Sequence, residues 1–438
     1  MILVSYGLYA QWVPAYALLL LGVTLITYIS ALYIENHAAY HKTGLIVGLA
    51  TLSLLPLLIF KYYNFLNDNV SGFLSSLGFS AQLPGLNWAI PIGISFFTFQ
   101  AVGYLFDVYY ERIKAERNWW DYMLFVSFFP QILSGPISKA KDLLPQIKNV
   151  RTFNYSQAVE GCKLLLWGMF LKVVMADRLG LYVDKVFDNW QYNTGSSCLV
   201  ASFAYTFQIY GDFAGYSFMA VGVGKLMGFN LINNFNRPYF SVSITDFWRR
   251  WHISLSTWLK DYVYIPLGGS RCGKVRNYWN IFVTFLVSGI WHGANWTFIV
   301  WGVLHGLIQI AEKALGLQKC ESKKWMVRLL RILITFMMVN FLWTIFRVPN
   351  MDDGIGILTK MFTESGKLFL PSNKDILFSF MSIGIVVMSE FLQEFYPSRF
   401  SLLNAKHTAV RWCTYVVLVL MIMLAGVFDS SQFIYVSF

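Results

Sequence analysis

Long apolar runs recur from one end of the chain to the other, and they leave few options for its fold. Residues 13–34, 44–60, 90–110, 159–176, 199–229, 278–310, 327–346, 376–391 and 412–428 read as membrane segments, 278–310 as a pair of them. About 20 helical residues cover the roughly 30 Å hydrocarbon core of a bilayer. Only 13% of the 438 residues are charged and 56% are hydrophobic, whereas a soluble domain carries about 25% charged residues. The expectation is an all-α polytopic membrane protein, with neither a soluble domain nor an internal repeat. No Lys or Arg precedes Lys42. A cleavable signal peptide needs a basic n-region, so the first run is expected to be a retained span.

The net charge of +11 would suggest nucleic acid in a soluble protein. Here the cations gather between spans, as the positive-inside rule requires, and no nucleic-acid partner is expected. Residues 111–117, 139–151, 237–276, 313–331 and 396–411 are basic and read as cytoplasmic; 67–88, 178–194 and 349–375 read as external. The aromatic KYYNF at 61–65 reads as an interfacial belt.

Two stretches look broken. Residues 119–138 contain Pro130, Gly135 and Pro136 and have basic flanks at both ends, which predicts a re-entrant segment. Irregular backbone at membrane depth survives only buried in protein or lining a cavity. Residues 199–229 are interrupted by Gly211, Asp212 and Gly215, which predicts one broken span. The basic loop 237–276 carries Trp248, Trp251, Trp258, Tyr262 and Tyr264. That is too apolar for a free linker, and it predicts amphipathic helices at or in the membrane face.

The chemistry concentrates in residues 236–305, which hold His252, His292 and His305. His292 lies in the apolar GIWHGAN, at the turn of the 278–310 hairpin. Intramembrane ionisable groups are functional by default. An imidazole there can act as general base, taking a proton from a hydroxyl as it attacks a thioester; the competing reading is a histidine hydrogen-bonded between helices. His252 follows Arg249, Arg250 and Trp251. It reads as a second catalytic or orienting residue, as a ligand for donor phosphates together with the arginines, or as part of an interfacial Trp/Arg cluster. His305 reads as a packing residue. Asp212 and Lys225 read as an ion pair in the broken span or as part of a proton path. Trp248, Trp251, Trp291 and Asn295 complete the candidate substrate-binding set.

Other patterns carry less. The five cysteines, Cys162, Cys198, Cys272, Cys320 and Cys413, are odd in number and widely spaced, so neither a disulfide framework nor a zinc site is expected. His37 and His41 have i, i+4 spacing without the Glu of HExxH, and no metal is expected. Gly222, Gly224 and Gly228 lack the spacing and the preceding strand of a dinucleotide fingerprint; small residues on membrane helices serve packing. GxSxG and Walker A motifs are absent, which argues against a serine-elbow hydrolase and a P-loop ATPase.

The motifs DFWRRWHISLSTWLKDYVYIPLGGSR (246–271) and GIWHGANWTFIVWGVLHG (289–306) resemble the membrane-bound O-acyltransferase (MBOAT) superfamily, and more narrowly its alginate O-acetyltransferase branch. The segments at 90–110, 124–137 and 210–239 and the C-terminal QFIYVSF (432–438) resemble the same branch. The resemblance covers nearly the whole chain. It implies one membrane-embedded domain, residues 1–438, with a catalytic core at about 90–310: a ring of tilted helices around a thinned central chamber with a tunnel and re-entrant segments. It implies that His292 is catalytic and that His252 is the second family histidine. Relatives usually carry another span ahead of the one that here starts at Val13.

The implied reaction moves an acyl group from an internal donor to an extracytoplasmic acceptor in a bacterial inner membrane. Relatives that D-alanylate teichoic acids lack the IPLGG run at 265–269, which favours acetyl over D-alanyl transfer. The expected donor is acetyl-CoA, used as substrate with no bound cofactor. The expected acceptor is a polysaccharide or an extracytoplasmic partner acetyltransferase. A transporter of glycan or lipid intermediates is the reading from another class, and internal repeats would favour it. A non-catalytic scaffold is the third, and loss of His292 would favour it.

Overall fold

A computed structural model describes residues 1–11, 13–37, 43–79, 84–319, 324–370, 373–396 and 403–428, with side chains omitted at 373–375. His41, Cys320 and the QFIYVSF motif lie outside the described residues. Among those described, five helices are long and apolar enough to cross a membrane: Pro14–Asn36, Thr43–Ser76, Trp325–Arg347, Ile376–Phe395 and Thr408–Ala425. The chain divides into two compact units.

The first unit comprises residues 1–153 and 227–232. Its helices are α1 (Ile2–Ala10), α2 (Pro14–Asn36), α3 (Thr43–Ser76), α4 (Ile94–Tyr109), α5 (Trp119–Ser127), α6 (Phe129–Ile132) and α7 (Ala140–Lys148). The expected loop at 67–88 begins later than its composition suggests, because α3 continues to Ser76. Its polar side chains bond back to the preceding turn: Asn69 Nδ2 donates to the Phe65 carbonyl at 2.7 Å and Ser76 Oγ to the Phe73 carbonyl at 2.7 Å. Such local bonds let short polar residues ride a helix. The stretch 119–138 does break, at Phe128, into two helices of nine and four residues. Gln100 on α4 receives the freed segment: its Oε1 accepts from Gln131 Nε2 at 2.8 Å and from the Ser138 amide at 3.2 Å.

The second unit comprises residues 154–226 and 233–438. It starts with α8 (Tyr155–Met169), which runs through a π-helical turn (Phe170–Ala176) directly into α9 (Asp177–Phe187). The expected external loop at 178–194 is therefore largely helical. The next helix, α10 (Gly195–Leu226), is continuous, not broken at Gly211 and Gly215. Those glycines serve helix contact. A Cβ on Gly215 would lie 2.8 Å from the Gly168 carbonyl oxygen, and one on Gly222 would lie 2.8 Å from that of Gly161. In a bilayer such close backbone approach replaces the hydrophobic drive between helices. Because α10 is wrapped by protein, it holds buried Ser202, Thr206, Gln208 and Asp212.

The basic loop folds into α11 (Ile244–Arg250), α12 (Ile253–Leu259) and a π-helical turn (Lys260–Tyr264). Trp251 is fully buried and Trp248 and Trp258 nearly so, so these short helices pack aromatics into protein. The IPLGG run turns through Gly268 (φ +115°) and Gly269 (φ +56°), conformations that favour glycine. The helical hairpin of α13 (Lys274–His292) and α14 (Trp296–Ala314) follows, with His292 as the last residue of α13. Asn277 and Asn280 of α13 donate to the Gly269 carbonyl at 2.8 and 3.1 Å, tying the turn to the hairpin. The unit ends with α15 (Trp325–Arg347), α16 (Met351–Thr363, in the expected external stretch), α17 (Asn373–Phe395) and α18 (Thr408–Ala425).

The hairpin is closed by facing glycines. A Cβ on Gly302 would lie 2.5 Å from the Phe285 carbonyl oxygen and 2.9 Å from Gly289 Cα. Gly302→Val is expected to lower stability by about 1–3 kcal/mol or more through overpacking, read as thermal unfolding in detergent. Gly48→Ala, where nothing lies within 4 Å, serves as the control and is expected to leave the transition in place.

Candidate active site

His292 ends α13 with 3% of its surface exposed. Its ring meets Trp291 (centroids 5.0 Å apart), Trp301 (5.0 Å) and Phe346 (5.2 Å), all edge-on. His252, fully buried, lies between α11 and α12. Its ring is edge-on to Phe213 of α10 at 4.6 Å and to Trp291 at 5.8 Å. Trp291 thus touches both imidazoles, and two histidines 40 positions apart in the sequence share one aromatic neighbour.

The backbone at His252 is left-handed, φ +43°. Side chains with a Cβ rarely adopt this region, and observed outliers of this kind cluster at functional sites. Asn234 holds the bend from both sides: its carbonyl accepts from Ile253 N at 2.9 Å and its Oδ1 from Ser254 N at 3.0 Å. The start of α11 is fixed by Glu312 of α14, whose carboxylate accepts from the amides of Ile244 (2.6 Å) and Thr245 (3.1 Å). A carboxylate at a helix N-terminus satisfies otherwise orphaned donors.

His305, read from the sequence as a packing residue, is buried between α11 and α14. Its Nδ1 accepts from Trp248 Nε1 at 3.2 Å, and its ring packs against Trp301 at 4.7 Å. Trp251 sits among Phe235, Phe247 and Trp343, with centroids 4.9–5.6 Å away.

The other candidates are distributed differently. Arg249 is exposed and lines a cavity of about 440 Å³ together with Lys260, Lys313, Thr257, Ser288 and Trp248. Arg250 is bound to Asp246 (3.1 Å) and Glu394 (3.0 Å). Asn295 caps α14 through the Thr297 amide (3.0 Å) and donates to the Pro349 carbonyl (2.6 Å). Asp212 does not pair with Lys225, whose partner is Glu160 at 2.7 Å. Instead Lys172, in the π-helical turn, lies 2.7 Å from Asp212 and 2.5 Å from Asp177. The close α8–α10 approach at Gly168 and Gly215 brings Lys172 over α10, which the sequence separation of 40 residues conceals. Residues missed by sequence reasoning are Glu312, Glu394, Asn234, Phe213, Trp301 and Phe346. The two glutamates carried a signal, as acids within otherwise apolar helices; the aromatics carried none.

These features define a multi-pass helical membrane protein with a buried pair of histidines in an aromatic shell. The family described as MBOAT, membrane-bound O-acyltransferase family, matches residues 110–351. The chain is 39% identical to a protein named "Probable alginate O-acetylase" of Pseudomonas aeruginosa, over 91% of this chain and 76% of that one. It is 37% identical to the peptidoglycan O-acetyltransferase of Helicobacter pylori, over 84% and 74%. A teichoic acid D-alanyltransferase of Bacillus subtilis is 28% identical, over 74% and 84%. The chain belongs to the membrane-bound O-acyltransferase family and is an O-acyltransferase.

The ionic triad yields a direct test. Lys172→Met leaves two buried carboxylates without their shared cation, and removing one partner of a buried pair costs about 3–5 kcal/mol. The variant is expected to lose thermal stability in detergent. Adding Asp177→Asn and Asp212→Asn is expected to restore most of it.

Proposed function

We propose that the chain moves an acetyl group from cytoplasmic acetyl-CoA across a bacterial inner membrane, for O-acetylation of a cell-surface or exported polysaccharide. The observation that carries this reading is the burial of His292 beside Trp291, the residue that also touches His252. Membership in an O-acyltransferase family and relatives named for acetyl transfer support it. The whole chain serves this one activity, with the catalytic core at about residues 90–310.

His292 acts as general base. It takes the proton of the acceptor hydroxyl as that oxygen attacks the thioester carbonyl. The C–O bond forms, the C–S bond breaks, and the proton passes from the imidazolium to the departing thiolate. His252 assists by orienting the reacting groups. The acceptor is the glycan itself, or an outward-facing partner acetyltransferase that passes the group on. Arg249, Lys260 and Lys313, around their shared cavity, hold the phosphates of the donor, to which cations bind through charge-assisted hydrogen bonds. The IPLGG turn, bonded to α13 through Asn277 and Asn280, supports acetyl over D-alanyl transfer.

Purified protein in liposomes, given radiolabelled acetyl-CoA, tests the chemistry. Wild type is expected to transfer label to surface glycan or partner protein, and a folded His292→Gln is expected to transfer none. Equal label from both removes His292 from the reaction, and label from D-alanyl donors alone reassigns the acyl group. A second measurement concerns the donor. Arg249→Gln and Lys260→Gln are each expected to raise KM for acetyl-CoA by about tenfold, the equivalent of the ~1.5 kcal/mol at the lower end for a hydrogen bond to a charged group, with kcat nearly unchanged. An unchanged KM in both sinks the cavity assignment.

A further inference from the structure

A further cavity of the second unit, about 830 Å³, is distinct from the one that Arg249 lines. It opens between α8, α10, α17 and α18, and it has two chemically distinct ends. One end is apolar, walled by Trp167, Phe218, Ile385 and Leu418. The other carries Arg237, Gln393 and Asn404. This polarity follows the helix directions: Ile385, Ser389 and Gln393 lie one turn apart along α17, and Val417, Cys413 and Ala409 one turn apart along α18, each row ending at the polar end.

The polar end is dense in charge, with Lys163 the cation beyond an otherwise matched cluster. Glu394 is contacted by Arg237 (2.9 Å), Arg250 (3.0 Å) and Arg328 (2.8 Å), and Arg250 also meets Asp246. Glu390, one turn before Glu394, is buried near Arg237 and Arg250 and accepts from the Tyr210 hydroxyl, so three guanidinium groups face three carboxylates. Lys163 adds a fourth cation at the rim, donating to Asn404 at 2.6 Å. Arg237 uses its Nε for Glu394 and holds a left-handed backbone, φ +48°. Such strain in a residue with a Cβ persists only where the surroundings impose it. The helices that form the far wall leave most of their apolar length uncovered by protein: 22% of that of α18 is buried, and 33% of that of α17.

The geometry points to a binding site for an anionic phospholipid: an acyl chain lies in the apolar end between α8, α10, α17 and α18, and the phosphate headgroup sits against Arg237 and Lys163. Basic pockets between membrane helices recognise headgroups in this way, and the volume falls within the roughly 300–1,000 Å³ usual for ligand sites. The lipid fills the seam that joins α17 and α18 to the rest of the unit. It is part of the packed structure and not a participant in acyl transfer.

The test uses the full chain. Protein purified in mild detergent is extracted for phospholipid analysis by mass spectrometry, then delipidated and melted with added phosphatidylglycerol or phosphatidylcholine. Wild type is expected to retain anionic phospholipid and to gain several degrees from phosphatidylglycerol but little from phosphatidylcholine. Arg237→Gln is expected to lose that selectivity and Arg237→Lys to keep it. Glu394 still has Arg250 and Arg328, so the glutamine variant is expected to fold. Val417→Trp, which fills the groove, is expected to lose retention of either lipid.

A second readout avoids substitution at the site. Cys413, exposed and lining the groove, is labelled with a fluorophore in a background where Cys162, Cys198, Cys272 and Cys320 are replaced by serine. Brominated phosphatidylglycerol is expected to quench it more than brominated phosphatidylcholine. Equal responses to the two lipids in wild type overturn the proposal, as does an undiminished phosphatidylglycerol effect in both Arg237→Gln and Val417→Trp.

Discussion

Backbone-to-backbone approach between helices is the constraint on which this structure rests. Two apolar helices in lipid gain little by hiding from a solvent as apolar as they are, so association depends on how closely they fit. Gly161, Gly168, Gly215 and Gly222 let α8 and α10 touch, and Gly289 and Gly302 do the same for α13 and α14. The first contact sets Lys172 against Asp212. The second fixes the end of α13, and with it the direction in which His292 enters the aromatic shell. His292 and the Lys172 cluster are thus positioned by residues that have no side chain at all.

Charge in the second unit obeys a complementary rule. Four carboxylates meet a cation or a helix terminus: Asp177 and Asp212 meet Lys172, Glu394 meets three arginines, and Glu312 meets the amides of α11, while buried Glu390 accepts from the Tyr210 hydroxyl. Desolvating a lone charge costs several kcal/mol, which such contacts offset. Arg250, two residues before His252, is held by Asp246 and Glu394, while Arg249 beside it lines a cavity.

Much of this was legible in the sequence. Apolar runs of some twenty residues located α2, α15, α17 and α18, because a span must be continuous to satisfy its own backbone. His292 at the hairpin turn was visible from the basic flanks at both ends of 278–310. What misled was glycine. Gly211 and Gly215 read as breaks because glycine weakens an isolated helix, yet inside a bundle the same residue marks the tightest contact. The polar tail of α3 and the helix α9 were read as loops for a related reason, since composition does not reveal whether a polar side chain bonds to its own preceding turn. The Asp212–Lys172 contact and the Trp291 bridge between the histidines depend on tertiary packing, and one sequence carries no record of it.

The end of the chain closes on its middle. The Val427 amide donates to the Val173 carbonyl at 2.8 Å, inside the π-helical turn, and Arg178 reaches the Ala425 carbonyl at 2.9 Å, 247 positions away in sequence. Ribosomes add roughly 5–20 residues per second, so the turn is made some tens of seconds before its last partner exists. Until then its carbonyl has to be met by something other than the Val427 amide. Assembly of this unit therefore has a late step, in which arrival of α18 and the residues that follow it completes a segment laid down long before.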